Sequence, residues 1–499
     1  MKKRNFVRFL CAILALLMLL PAVVSCGDKK TPAESQSGSA EEGDDKYRDN
    51  LPVLDYGGEQ INFVSRSLDW YANEITVETG DTSDIVDMAV WNREQVVEAR
   101  LNIDLVNAMI DGEGKEGYYV VTDEIRTDIM AGTNNYDIGV NNVHHTVEFA
   151  NEGLFWDMNK VPNVELTQPY YSQHFNDRAT VSGRLYAVTG DAMLTYIKFA
   201  FATFFNRNMA EEYKVPDLYQ TVLDGKWTIE YQSTLVKDLW VDGPNGDNKK
   251  SADDTFGFIT NNVIGVDPYL SAFDIPMIKK NAAGKLEIVI DTDKVTNMLK
   301  TINTLFWQSS GVFVAPHEAD DHELITAAQA FAQDRALFMT NRLYICEDTT
   351  MRNMESLYGI IPMPKYNEDQ QQYYSDCHAL YSVCVVSSAV PESRLAMVGA
   401  TVECFFSESD DCRYRLFDEA LKIKYQSTEK TGKMLDIIID YMVIDTSMIY
   451  ACALNDIGFF HRGLIQKRSS SFAGFWKMQA PGVEKKMAQM ETDFSKLAK

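Results

Sequence analysis

The sequence predicts an α/β protein with mostly parallel sheets. Short apolar runs of strand length recur along the chain, and segments with apolar residues spaced three and four apart lie between them. Strands alternating with helices in this way argue helices packed on the faces of parallel sheets. With 499 residues, 45% of them hydrophobic, the chain can bury a large core, divided among roughly two to four units. It shows no internal repeat.

Taken in order, the elements begin with a leader. Lys2, Lys3, Arg4 and Arg8 form a positive start, and an apolar stretch from Phe9 to Val24 follows, interrupted by Pro21. This is the order of a secretory signal, with an apolar core shorter than the ~20 residues of a spanning helix. Val23-Val24-Ser25-Cys26 resembles the bacterial lipobox. Residues 1–25 are therefore expected to be a lipoprotein signal peptide, with Cys26 lipidated and the chain held at the extracytoplasmic face of a cell membrane. Residues 26–58 are mostly Ser, Glu, Asp, Lys and Gly. They bury too little to repay ordering, so they are expected to be a flexible tether.

Ile61–Val64 reads as the first strand, Asp137–Val140 as the second and Leu185–Val188 as the third. Phe201–Phe205, Phe256–Ile259, Leu337–Thr340, Gly359–Ile361 and Leu380–Val386 read as further strands. Ile85 to Leu101 reads as a helix with Ile85, Met88, Ala89, Val96 and Val97 near one face. Leu395, Val398, Val402 and Phe405 follow Pro391 at helical spacing, and a proline suits a helix start. Val483, Met487, Met490, Phe494 and Leu497 mark a last helix.

The formal net charge is −25, and loss of the basic leader makes the mature chain more acidic still. Such a surface repels nucleic acid, which is set aside as a partner. Cys346, Cys377, Cys384, Cys404, Cys412 and Cys452 include no C-x-x-C pair, so no zinc ribbon is expected. Cys384 and Cys404 sit in apolar runs and read as buried free thiols.

Several segments carry a resemblance. Ser182-Gly183-Arg184-Leu185-Tyr186-Ala187-Val188, then Phe204-Phe205-Asn206, then Trp227-Thr228 follow in one order. Further on come Phe331-Ala332-Gln333-Asp334-Arg335-Ala336-Leu337-Phe338, Gly359-Ile360-Ile361-Pro362-Met363-Pro364-Lys365-Tyr366 and Ser471-Phe472-Ala473-Gly474-Phe475-Trp476. Together they resemble the extracellular solute-binding proteins of ABC importers, family 1, the maltose-binding-like group. The resemblance implies a periplasmic-binding-protein-like fold of two α/β lobes with a hinge and an interlobe cleft. It places lobe one at 59–197 plus 380–440 and lobe two at 201–378 plus 441–499. It implies a monomer that captures a carbohydrate and delivers it to an ABC transporter permease, without a cofactor. The chain is longer than typical members and must hold insertions.

Sugar recognition needs aromatic faces for C–H surfaces and planar polar groups for hydroxyls. Strand ends supply candidates. Trp70 follows the first strand, and Asn142 and His144 follow the second. Asp191 lies before the first crossing between lobes. The Asp267-Pro268-Tyr269 element looks like an acidic-Pro-Tyr sugar contact, though Asp-Pro also starts ordinary turns. Arg342 ends the Leu337–Thr340 strand, and Trp476 is a stacking candidate. His144 and His145 are adjacent and would point apart on a strand with no third ligand nearby, so no metal is expected.

Enzyme motifs fail individually. His317 and His322 in the acidic run 317–323 are five residues apart, roughly 140° around a helix, too far for an H-E-x-x-H site. There is no G-x-S-x-G elbow and no phosphate-binding loop. A secreted glycosidase and a binder of a non-sugar solute, or a chemosensory receptor partner, are the competing readings.

Overall fold

The computed structural model describes residues 48–67, 73–112, 116–244, 246–251, 253–315, 322–417, 419 and 429–497. Trp70, Cys26 with its leader and most of the tether, and residues 316–321 lie outside them. Among the described residues no helix is long and apolar enough to cross a membrane.

Strands β1 (Glu59–Ser67), β2 (Ile103–Asp111), β3 (Ile138–Asn142) and β12 (Ser382–Val386) form a four-stranded sheet in the order β12-β3-β1-β2. The helix Ile85–Leu101 links the first two. Asp84 caps its start by accepting from the Val86 and Asp87 amides, and Asn102 ends it in the left-handed conformation. Its inward face differs from the one the apolar spacing predicts. Val86, Ala89, Val90, Val97 and Leu101 are buried, whereas Ile85, Met88 and Val96 are exposed. Arg93 decides the rotation. Its guanidinium lies 3.8 Å from the Phe405 ring centroid and donates to the Glu74 and Ile75 carbonyls, so the face carrying it must turn inward.

The second sheet runs β11-β4-β10-β6-β5, with β9 also on β6. Its strands are β4 (Phe201–Asn206), β5 (Trp240–Val241), β6 (Thr255–Asn261), β9 (Val312–Ala315), β10 (Ala336–Arg342) and β11 (Tyr358–Ile361). A hairpin of β7 (Ile278–Lys280) and β8 (Leu286–Ile288) lies apart. Both main sheets are mixed rather than mostly parallel. β1, β2 and β3 are parallel to one another, as are β6, β9 and β10. β12 and β4 run against their neighbours because each enters its sheet directly from a crossing segment. Leu185–Val188 is no strand. Its backbone bonds go to Asp157, Met158 and Cys384 instead of a ladder.

Three segments cross side by side between the sheets. Phe201 N–H donates to the Asp376 carbonyl (2.9 Å) and His378 N–H to the Phe199 carbonyl (3.0 Å). Val443 N–H donates to the Ser375 carbonyl at 2.8 Å. The family-like segments interlock in the second lobe. The Trp227 indole is fully buried and donates to the Pro362 carbonyl, while Lys365 N–H donates to the Trp227 carbonyl. Thr228 caps the helix Ile229–Val236. The helix Glu429–Asp440 packs on β11, which corrects its expected place in lobe one. The C-terminal helix Phe472–Lys496 touches both lobes. Phe494 meets Tyr186 of the first, and Glu491 accepts from the Leu286 amide of the second. Cys377, Cys384, Cys404 and Cys412 are buried free thiols, and Cys452 is a half-buried one; Cys346 is buried too.

Glu74 fastens the wall beside the crossing. Its fully buried carboxylate accepts from Thr195 N–H (2.7 Å), Thr195 Oγ1 and Ser382 Oγ. Burial raises its pKa despite these donors. Glu74→Ala strands them and is expected to cost about 2–3 kcal/mol, read as a lower urea midpoint at unchanged m.

Candidate functional site

Parallel strands place their C-terminal ends at one edge of a sheet, and here the two edges face each other across the crossing segments. β3 ends at Asn142, β6 at Asn261 and β10 at Arg342, while β4 starts from the crossing at Phe201. Loops leaving those ends, with the 452–462 segment beyond the third crossing, line the seam.

Arg342 is fully buried. Its Nη1 donates to His378 Nδ1 at 3.0 Å and its Nη2 to the Tyr344 hydroxyl at 3.1 Å. The guanidinium lies 4.5 Å from the Tyr344 ring centroid and 5.4 Å from that of Phe199. A guanidinium only donates, so His378 Nδ1 accepts and its proton sits on Nε2. Burial, with the charges of Arg342 and Arg462, holds His378 neutral far below its usual range.

Asp267 meets Arg462 in a two-pronged pair at 2.7 and 2.6 Å, and Arg462 lies 4.1 Å from the Phe459 ring centroid. His461 is fully buried beside them, with Nε2 3.9 Å from Asp267. Burial pushes its pKa down to about 4. Asp376 accepts from Cys377 N–H through Oδ1, and burial, then the nearby Asp267 charge, raises its carboxyl well above the usual range. Nearby, Thr260 Oγ1, Asn261 Nδ2, Asn341 Nδ2 and Tyr381 Oη are buried and meet no hydrogen-bond partner in the protein. Buried polar groups are ordinarily paired with protein or ordered water, so these atoms are open to a polar partner.

The structure sorts the expected residues. Asn142, His144, Asp267 and Arg342 stand at the seam. Asn142 is wholly internal: its amide holds the following turn by accepting from His145 N–H and Nδ1. Tyr269 is a core residue against Phe273 and Phe306, which corrects its reading as a contact; the helix starting there turns the ring inward. Asp191 is engaged by Arg48 and Arg413 instead of facing the cleft, because the segment before β1 and the Asp410–Tyr414 helix bring cations to it. Trp476 is half-buried and stacks on Phe472 at 5.9 Å within the C-terminal helix. Trp70 lies outside the described residues. His378, Asp376, His461, Arg462 and Phe459 were missed. Scarcity was the signal available: of seven histidines in the chain, four gather here.

Comparison of the sequence finds no matching family model and no matching curated protein. Solved structures do match. The GacH receptor of Streptomyces glaucescens GLA.O, studied with acarbose, aligns at TM-score 0.51 and 11% identity over 88% of this chain and 99% of that one. Maltose-bound T. maritima MalE3 aligns at 0.50 and 13% identity, covering 87% and 99%. The MalE domain of Bdellovibrio bacteriovorus bound to maltotriose aligns at 0.50 and 14%, covering 86% and 99%. The fold is therefore the two-lobed periplasmic-binding-protein type.

Two outcomes follow. His461 stays neutral when folded, while the unfolded histidine titrates near 6.5. Its contribution is therefore complete above pH 6.5 and lost as pH falls toward about 4. In His461→Asn the decline of unfolding free energy over that window should be shallower by up to about 1.4 kcal/mol per pH unit, measured by denaturant titration. Arg462→Leu leaves the Asp267 carboxylate buried alone and should cost about 3 kcal/mol by the same assay.

Proposed function

We propose that this protein is a solute-binding protein that captures a carbohydrate between its lobes and delivers it to the permease of an ABC importer. One observation carries the reading: the belt of buried, unpartnered donors and acceptors along the facing strand ends. A polyhydroxylated molecule offers hydroxyls that both donate and accept, which suits Thr260, Asn261 and Asn341 together. The Phe199, Tyr344 and Phe459 rings beside Arg342 and Arg462 supply apolar faces for sugar C–H surfaces. His144 and Arg342 are the proposed contacts from opposite lobes. The compared proteins named above were studied with acarbose, maltose or maltotriose, which supports the same class of ligand.

In this reading the protein works as a monomer and binds without altering its ligand. Hinge closure over the crossing segments commits the solute. The leader and Cys26 place it: signal cleavage and lipidation anchor the chain at the outer face of the cell membrane, and the tether keeps the cleft near its importer.

A carbohydrate panel screened by calorimetry and intrinsic fluorescence tests the capture. At least one oligosaccharide should bind and be recovered intact. Arg342→Ala should weaken that binding at least tenfold, because the guanidinium no longer orients His378 and Tyr344. Silence across the panel would remove the sugar reading. Cys26→Ala protein should bind as before yet leave the membrane fraction; loss of binding in that variant would contradict the separation of anchor from cleft.

A further inference from the structure

The turn after β3 was expected to splay its two histidines apart. It does the opposite. Asn142 closes the turn, and the His144 and His145 rings stand 4.8 Å apart, tilted by 43°. Cys452, from the segment beyond the third crossing, joins them. One imidazole nitrogen from each histidine and the Cys452 Sγ all lie within 4.8 Å of one another. Asp456 Oδ1 stands 3.7 Å from His144 Nε2, a nitrogen buried without a hydrogen-bond partner.

From this geometry we infer a binding site for a zinc-class divalent metal ion, made by His144, His145, Cys452 and Asp456. Tetrahedral zinc with bonds near 2.0–2.3 Å holds its donor atoms about 3.3–3.6 Å apart, so the cluster need contract by about an ångström. Nitrogen, thiolate and carboxylate together suit zinc rather than calcium or magnesium. Asn142 prepares the histidine. Its Oδ1 accepts from the His145 backbone N–H, so the 2.7 Å contact with Nδ1 makes that nitrogen a donor as well. The lone pair is left on Nε2, the arrangement that second-shell groups impose on metal-bound imidazole. Metal binding breaks the Cys452 S–H bond, forms the metal–sulfur bond and releases the proton to solvent. Glu148 flanks the thiol and, with Cys452, lines a groove of about 290 Å³ that leads to it.

A second cluster, Asp49, Cys404 and Glu408, has similar spacing but a different content. The Arg100 guanidinium donates to both of its carboxylates and fills it. The seam cluster holds no such cation within it. Its ligands also come from two places: the histidines from the first lobe's loop, and Cys452 and Asp456 from the segment after the last crossing. A bound ion therefore pins the segment after the last crossing to the loop after β3, whatever the solute.

The test uses the full-length chain, stripped with a chelator and free of sugar. Zn²⁺ titrated against a chromophoric competitor should bind at one equivalent and raise the melting temperature. Co²⁺ should give a thiolate charge-transfer band that disappears in Cys452→Ser. Zinc affinity should fall at least tenfold in His144→Ala and Cys452→Ser, and by 10–100-fold in Asn142→Ala. Cys404→Ala should leave it unchanged. If a variant fails to fold, alkylation of the parent chain read by mass spectrometry decides: zinc should protect Cys452 selectively. Absence of zinc binding, equal affinity in His144→Ala and Cys452→Ser, or no protection of Cys452 would overturn the site.

Discussion

The antiparallel pairing of residues 199–201 with 376–378 is the constraint on which the rest depends. Phe201 bonds to Asp376 and His378 to Phe199, so the two sheets are held with their strand ends facing. Asn142, Asn261 and Arg342 at those ends, with Asp376 and His378 on the crossing, are then buried away from bulk water. Asp376 is raised, His378 is lowered, and Arg342 must find neutral acceptors in His378 and Tyr344. The perturbed groups are consequences of one backbone arrangement.

Charge follows the same geography. The chain is strongly acidic overall, yet its seam collects Arg342, Arg462 and Lys198, with four histidines around them. The Lys198 ammonium reaches Glu347 of the second lobe at 3.0 Å, and Arg462 holds Asp267 in two-pronged fashion. Asp267 is thus matched locally while the outer surface keeps its excess negative charge, which favours solubility. Asp267 is buried, so removing Arg462 costs more than that pair itself contributes.

Much of the fold was legible because it depends on short-range pattern. The strands at 61, 138, 201, 256, 337, 359 and 382 were visible as apolar runs, and the 85–101 helix was visible in its length. Misreadings share a cause. Ile85, Met88 and Val96 are apolar but exposed, because a buried arginine outweighs them in setting the helix face. Leu185–Val188 looks like a strand, but Asp157, Met158 and Cys384 take its hydrogen bonds. The direction of β4 and β12 is set by where the chain arrives from, which no local window contains.

By itself the sequence determined the alternation of elements, the order of the family-like segments and the candidate residues at strand ends, Asn142, His144, Asp267 and Arg342. Periodicity and side-chain chemistry are properties of neighbours along the chain, so they can be read there. Only the tertiary structure decided that Tyr269 is core, that Asp191 belongs to Arg48 and Arg413, and that Cys452 stands against His144 and His145. Those contacts join residues as much as 308 positions apart, as between His144 and Cys452, and three-dimensional packing alone brings such positions within bonding range.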